Sequence, residues 1–228
     1  MSKQTELAQV ADTITVNSGK VGIGTDSPAR TLEVYSSAPA IKLNNGTNAF
    51  TIGTGAFVDG SNSLVFFDEG VGERMRIDSA GRVTTPYQPA FTAKPTSFTG
   101  SGGIAGTQTF IFATALLNIG GHFNTSNGRF TAPVAGNYFF TYSITASSSS
   151  KSARYFRVRL TKNGTVIFNP HNTISDETGN ADYNIVSASG LVAMNANDYV
   201  EINYGSSIDA SGLVFYDSMN TFSGFLMS

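Results

Sequence analysis

The chain has 228 residues, of which 13% are charged and 40% hydrophobic, and its net charge is −2. Because a nucleic-acid-binding protein needs a basic face to neutralise phosphates, this charge balance disfavours that class. The absence of cysteine excludes disulfide bonds and thiolate metal sites. Low charge, 24 glycines and no tryptophan favour an all-β protein over one built from long helices.

Residues 1–12 are polar with weak helical character, and we interpret them as an attachment leader. Because residues 1–10 contain no apolar run, a signal peptide is not expected. No stretch of the sequence approaches the length of a transmembrane helix, so membrane insertion is not expected either. The leader is therefore predicted to join the chain to other proteins of an assembly.

Residues 13–85 are predicted to form a β-rich segment whose short strands are separated by glycines. The predicted strands are Thr13–Val16, Val21–Ile23, Thr31–Val34, Ile41–Leu43, Phe50–Ile52, Leu64–Phe67 and Arg74–Ile77. Strands of this length are marginal when they pair alone in water. We therefore expect a stalk stabilised by neighbouring copies of the chain. Residues 86–89, Pro-Tyr-Gln-Pro, are interpreted as a stiff linker, and residues 90–228 as a head domain.

Two glycine-containing motifs lie within the stalk. One is Lys-Val-Gly-Ile-Gly-Thr-Asp-Ser-Pro at residues 20–28, followed by Leu-Glu-Val at residues 32–34. The other is Glu-Arg-Met-Arg-Ile-Asp-Ser-Ala-Gly-Arg-Val at residues 73–83. Both resemble motifs of bacteriophage tail-fibre and virion fibre proteins, in which the second motif often runs directly into the first. Here their order is reversed. The resemblance implies a virion fibre assembled in the host cytoplasm.

The head domain contains further predicted strands. The segment Gly136–Thr145 alternates, with Tyr138, Phe140, Tyr142 and Ile144 on one face. Phe139 is the apolar exception on the other face, which indicates burial on both sides. Other predicted strands are Phe110–Ala113, Tyr155–Leu160, Ile185–Leu191 and Tyr199–Tyr204, and predicted two-residue hairpin turns are Asn127-Gly128 and Asn163-Gly164. About eight to ten short strands without helices predict a sandwich or jelly roll.

A spacing of F-x5-N-x4-F-x6-F-x5-G-x-Y-x-F-x-Y runs through the head. It comprises Phe112, Asn118, Phe123, Phe130, Gly136, Tyr138, Phe140 and Tyr142. This spacing, with Phe222–Leu226 as a closing strand, resembles the globular heads of the complement C1q family. The resemblance implies a homotrimeric jelly roll that binds other molecules and catalyses nothing. It covers the head only, because no Gly-X-Y repeat of a collagen stalk is present.

Candidate chemical residues are few. His122 and His171 have no recognisable metal-binding partner in the sequence, and for His122, next to Phe123, packing on a strand face is the better interpretation. No nucleophile elbow, phosphate loop or dinucleotide motif is present. The oxygen-rich segment 175–182 makes Asp176 and Asp182 weak metal candidates. Some C1q-like heads bind calcium near the trimer apex, so calcium is the ion that the resemblance would suggest, but a solvated loop is favoured.

Taken together, these patterns favour a structural fibre protein of a tailed bacteriophage, with a trimeric knob that binds a host-surface glycan or protein. Segments 146–152 and 175–182 are predicted to make that contact. One alternative is a fibre or decoration protein mounted on the capsid. The other is a fibre-borne glycan hydrolase, which would need a pair of carboxylates about 5–10 Å apart in a groove.

Overall fold

A computed structural model describes residues 14–96, 98–100, 108–148, 156–172, 183–206 and 213–227. The predicted leader and segment 175–182, with Asp176 and Asp182, lie outside the described residues, as does most of segment 146–152. The chain divides into two compact units, Met1–Pro86 and Tyr87–Ser228. The described residues are almost entirely β-structure. No helix among them is long and apolar enough to cross a membrane.

The N-terminal unit contains two sheets. Its elements are β1 Ile14–Asn17, β2 Lys20–Ile23, β3 Leu32–Val34, β4 Ala40–Asn44, β5 Ala49–Thr54, a 3-10 helix at Gly55–Phe57, β6 Leu64–Asp68, β7 Gly72–Ile77 and β8 Val83–Thr84. Strand β2 pairs antiparallel with β1 and parallel with β3. Strands β4 to β8 form an antiparallel meander in chain order. Each predicted strand of this segment overlaps an observed one, whereas β8 was not predicted.

The bend after β2 depends on Gly24. This glycine has a φ of +77°, and a Cβ there would collide with the carbonyl oxygen of Tyr35. The amide of Tyr35 in turn donates to the carbonyl of Ile23 at 2.8 Å, which closes the chain back onto β2. The glycine-rich motif thus permits a close backbone approach that a side chain would block.

The C-terminal unit is built from fourteen strands within the described residues. They are β9 Ala90–Lys94, β10 Phe98–Gly100, β11 Gln108–Thr109, β12 Thr114–Ile119, β13 Phe123–Asn124, β14 Arg129–Thr131, β15 Gly136–Ser148, β16 Phe156–Lys162, β17 Thr165–Phe168, β18 His171–Asn172, β19 Tyr183–Met194, β20 Tyr199–Ser206, β21 Leu213–Phe215 and β22 Thr221–Leu226. Gln88 and Pro89, from the predicted linker, bond to Leu226 through the Gln88 amide group at 2.7 Å and the Pro89 carbonyl at 2.9 Å.

Two sheets form a jelly-roll sandwich. In one sheet, β15 is flanked by β19 on one edge and by β22 and β21 on the other, and β9, β12 and β10 complete the sheet. The other sheet has the order β13-β14-β20-β16-β17, with β11 beside β20 and β18 beside β16. The all-β jelly-roll prediction is therefore confirmed.

Aromatic rings fill the space between the two sheets. Phe91 of β9 stacks on Phe123 and Phe130 of the opposite sheet, with ring centroids 4.6 and 5.0 Å apart. Tyr138, Phe140, Tyr142 and Ile144 are all buried, as the alternation of β15 predicted. Phe139 is half-buried and contacts Phe225 on the outer face of the sheet. The register of β15 therefore fixes which residues form the core.

Two local predictions were wrong. Residues 110–113 are not a strand, because the chain crosses there from β11 in one sheet to β12 in the other. The rings of Phe110 and Phe112 are both buried there, with their centroids 4.8 Å apart, and Ile111 between them is exposed. The segment therefore alternates as a strand would, although neither sheet includes it. Asn127-Gly128 is not a two-residue turn, since β13 and β14 are joined by residues 125–128 and only Gly128 has a positive φ. Asn163-Gly164 joins β16 to β17 with positive φ at both residues, as predicted.

Phe140→Ala tests the register of β15. The ring is 1% exposed and lies against Phe91, Phe130 and Phe222, so its removal should lower the free energy of unfolding by about 3–5 kcal/mol. Val166→Ala, at an exposed position of the same unit, is the control and should change it by less than about 1 kcal/mol. Urea denaturation of both variants provides the measurement. Equal effects would show that the register is wrong.

Candidate interaction surfaces of the C-terminal unit

The aromatic positions of the spacing motif lie in the interior of the fold. Its six aromatic members are at most 3% exposed: Phe112, Phe123, Phe130, Tyr138, Phe140 and Tyr142. The side chain of Asn118 donates to the carbonyl of Phe123 at 2.9 Å and accepts from its amide at 3.1 Å. Asn118 thereby fixes the turn between β12 and β13. The motif specifies a scaffold, and interaction surfaces have to be sought elsewhere.

The motif tyrosines are held in their neutral form. The hydroxyl of Tyr138 donates to the carbonyl of Val134 at 2.9 Å, and that of Tyr142 donates to the carbonyl of Val158 at 3.2 Å. Burial raises the pKa of both phenols and that of Tyr204 above the ordinary value. The hydroxyls of Tyr138 and Tyr142 therefore bind backbone carbonyls and stay protonated near neutral pH.

The sequence candidates for chemistry do not converge on a site in the described part of the chain. His122 is half-buried and its ring lies edge-on to Phe130 at 6.5 Å, while its carbonyl accepts from the amide of Thr131. Among the described residues, no three His, Cys, Asp or Glu side chains could share a metal ion. The weak metal candidates Asp176 and Asp182 are outside those residues and stay a prediction.

Three adjacent strands on one outer face of the sandwich lack charge. The three adjacent strands β19, β15 and β22 contain no Asp, Glu, Lys or Arg. Four large apolar side chains stand outward on β19 and β22 and are between 45% and 58% exposed: Tyr183, Ile185, Leu191 and Phe225. We call the outward side of these three strands the uncharged face. Solvated sheet faces ordinarily alternate polar residues outward, so this face is unusual for a surface in water.

The strand registers arrange the uncharged face in rows. Phe139 lies opposite Leu191 on one side and Phe225 on the other, which makes an apolar row across three strands. The next rows consist of small hydroxyl side chains, with Thr141 opposite Ser189 and Ser223. Ile185 and Tyr183 follow at the far end. Small central side chains between larger apolar ones allow another protein surface to approach closely.

The opposite outer face, on the β14-β20-β16 sheet, is charged. Arg129 bonds to Glu201 at 2.8 Å and its guanidinium lies over the ring of Tyr199 at 4.2 Å. Arg159 lies beside Asn203 across the strand pair and bonds to Asn169 at 3.1 Å. Arg157 occupies the adjacent outward position of β16. This face, the arginine face, combines fixed cationic groups with amide and phenol groups.

Sequence reasoning missed both faces, although the signal for one was present. The lack of charged residues in segments 136–148, 183–194 and 221–226 is readable from the sequence. Only the pairing order shows that these segments are neighbours in a single sheet. The Arg129–Glu201 pair joins residues 72 positions apart, so no local pattern could indicate it.

The C-terminal unit matches a known protein family. Residues 90–227 match the family described as "C1q domain". The chain belongs to the C1q domain family. The resemblance stated for the head is thereby confirmed, and the C1q domain covers the whole jelly roll described above.

Two curated proteins whose names refer to complement C1q are similar in sequence to part of this chain. The chain is 35% identical over 119 residues to "Complement C1q tumor necrosis factor-related protein 2" of Mus musculus and to the protein of that name in Homo sapiens. The matched region is 51% of this chain and 36% and 38% of those proteins, so the chain spans well under half of their length.

Two solved structures align with the jelly roll. "Globular Domain of Zebrafish Complement 1qA protein" aligns with 62% of this chain and 98% of its own, with 21% identity and a TM-score of 0.46. "Crystal structure of murine APRIL, pH 8.0" aligns with 61% of this chain and 99% of its own, with 7% identity and a TM-score of 0.45.

Family membership settles the broad class of activity. Members of the C1q domain family are non-enzymatic signalling or structural proteins, so the prediction of a non-enzymatic protein is confirmed for the C1q domain. C1q domains typically self-associate into trimers.

The buried tyrosines predict alkaline instability of the C1q domain. In the unfolded chain each phenol loses its proton near its ordinary pKa of 10.0, while in the folded domain burial keeps it protonated. Their stabilising effect is therefore complete below pH 10 and is lost as pH rises above it. Thermal unfolding between pH 7 and pH 11.5 should show a falling Tm above pH 10.

Tyr142→Phe is the matched variant for that experiment. It loses one hydrogen bond, which costs about 1 kcal/mol at pH 7, but its decline above pH 10 should be shallower than that of the wild type. Parallel declines in the two proteins would contradict the assignment of Tyr142 as a buried neutral phenol.

Proposed function

We propose that the chain is the subunit of a homotrimeric fibre of a tailed bacteriophage virion, and that its C1q domain binds the host surface. The uncharged face is the observation that supports the homotrimer. Two strands of about twelve residues and a third of six residues cover on the order of 500 Å², roughly two thirds of the ~800 Å² per partner of a standard protein interface. Covering it with a second copy would remove the exposed apolar rows from water.

Self-association through the uncharged face would leave the arginine face outward. Guanidinium groups donate several hydrogen bonds in a fixed plane, and Tyr199 and Asn203 add hydroxyl and amide groups beside them. Such a surface suits polar or anionic ligands, including glycans. Segments 146–152 and 175–182 are proposed to complete the contact, as loops beside a rigid sandwich often do.

The virion assignment has its support in the N-terminal unit. The motifs at residues 20–34 and 73–83 resemble virion fibre motifs, and the second of them lies on β7, β8 and the turn between them. In this proposal residues 1–12 bind other virion proteins and the fibre is assembled in the host cytoplasm. Attachment to the capsid instead of the tail remains the closest alternative, and the protein bound by residues 1–12 distinguishes the two.

A second candidate is a secreted animal protein. It is favoured by the 35% identity to the mouse and human C1q tumor necrosis factor-related proteins. The two candidates share the trimeric binding head but differ in the surface that the head contacts. Binding to bacterial cells separates them.

Leu191→Asp tests the uncharged face as the self-association surface. In wild type, light scattering coupled to size exclusion should give about three times 24.0 kDa. An aspartate at position 191 places an unpaired charge in the apolar row with Phe139 and Phe225, so the mass should fall towards that of one chain. Val166→Asp, exposed on the other sheet, is the control and should leave the trimer intact. A stable wild-type monomer at micromolar concentration would contradict the proposal.

Adhesion without cleavage tests the functional assignment. Labelled protein should adhere to susceptible bacteria and compete with infection, because three heads on one fibre gain by avidity. Extracted surface polysaccharide incubated with the protein should release no new reducing ends. Failure to adhere, with firm attachment of residues 1–12 to capsid shells, would favour the capsid alternative; adhesion to animal cells alone would favour the secreted candidate.

A further inference from the structure

The five-stranded sheet of the N-terminal unit has its apolar side exposed. Directly paired residues of an antiparallel sheet share a side, and one continuous side carries the following apolar residues: Ile41, Leu43, Phe50, Ile52, Leu64, Phe66, Met75, Ile77 and Val83. Six of them are between 36% and 59% exposed, and Phe66, Met75 and Ile77 are half-buried. We call this side the apolar face of the N-terminal sheet.

The other side of the same sheet is covered and polar. Val65 is fully buried there, and Phe67 contacts Phe57 of the 3-10 helix at 5.8 Å. Arg76 bonds to Asp59 at 2.8 Å and also to Glu73 and to two serine hydroxyls. The ordinary arrangement of a half-solvated sheet, with its apolar side inward, is therefore reversed in this unit.

The apolar face carries almost no charge. On the described part of this face, the charged group is the Asp68 carboxylate. It forms an ion pair with Arg74 at 2.7 Å, at the edge of the face. Such a face provides no charge pattern that would select a different protein, and it disfavours a polar ligand. An equally apolar surface is the partner that fits, and every copy of the chain carries one.

The size of the face decides how it can pair. Five strands about 4.8 Å apart and about five residues long give an area on the order of 400 Å², roughly half of a standard interface contribution. Pairing of isolated N-terminal units is therefore expected to be weak. Copies already joined through their C1q domains would meet at a high effective concentration, which allows a small interface to form.

We infer that the apolar face of the N-terminal sheet packs against the same face of other copies of this chain. The inference rests on the self-association of the C1q domain proposed above. The N-terminal sheets of a trimer thereby form one common apolar core. Leu64 and Ile77 also line an open depression of about 610 Å³ at the edge of the face, and most of its other lining residues are polar.

Single-cysteine cross-linking of the full chain tests this inference, since the wild type contains no cysteine. Leu43→Cys and Ile52→Cys place a thiol on the apolar face, and Lys42→Cys places one on the opposite side, next to Leu43 in sequence. After treatment with a short bis-maleimide, denaturing gels should show cross-linked chains several-fold more abundant for the first two variants than for Lys42→Cys.

The outcomes separate this inference from the proposed function. If the variants are trimeric but Leu43→Cys cross-links no more than Lys42→Cys, the inference is overturned and the proposed function is not. This result is expected if another part of the same chain covers the face. Monomeric wild-type protein would overturn the trimer and the inference together. As a second readout, Ile52→Asp should make the N-terminal unit several-fold more sensitive to protease while the C1q domain stays trimeric. Unchanged sensitivity would contradict the inference.

Discussion

The alternation of β15 is the constraint on which the C-terminal unit depends. This strand pairs with β19, β21 and β22, so its register is transmitted to most of its sheet. Its inward residues bring Tyr138, Phe140 and Tyr142 into the aromatic core, and its outward residues lie in the uncharged face. A slip of one residue would exchange the two sets and put three aromatic rings into water. Core packing and the surface for association are therefore fixed by the same pattern.

Each unit has a sheet with an exposed side that carries apolar residues and little or no charge. In the C1q domain, the apolar core is covered and three adjacent strands of one sheet lack charge on their outer side. In the N-terminal unit, a sheet carries ion pairs and hydroxyls on one side and exposes Ile41, Leu43 and Ile52 on the other. Exposed apolar patches of several hundred square ångströms ordinarily mark interaction sites. The two exposed faces together explain why we assign a multi-copy assembly to the chain.

The sequence predicted those parts of the fold that local patterns determine. The alternation of β15, seven of the eight N-terminal strands and the Asn163-Gly164 turn depend on near neighbours in the chain and were found. The crossing at Phe110 and Phe112 was mistaken for a strand, because two buried rings with the exposed Ile111 between them give the alternation of a strand. The Arg129–Glu201 pair and the adjacency of β19, β15 and β22 depend on distant segments. The uncharged face could be recognised only when the strand order was known.

A cryo-electron microscopy structure of the assembled full-length protein tests the central claim most directly. It shows whether the uncharged face and the arginine face of the C1q domain contact another chain or solvent. The account predicts three copies, with Leu191, Phe139 and Phe225 covered by a neighbouring chain and with Arg129 and Arg159 open to solvent. Copies that meet through the arginine face, with the uncharged face left in water, would contradict it.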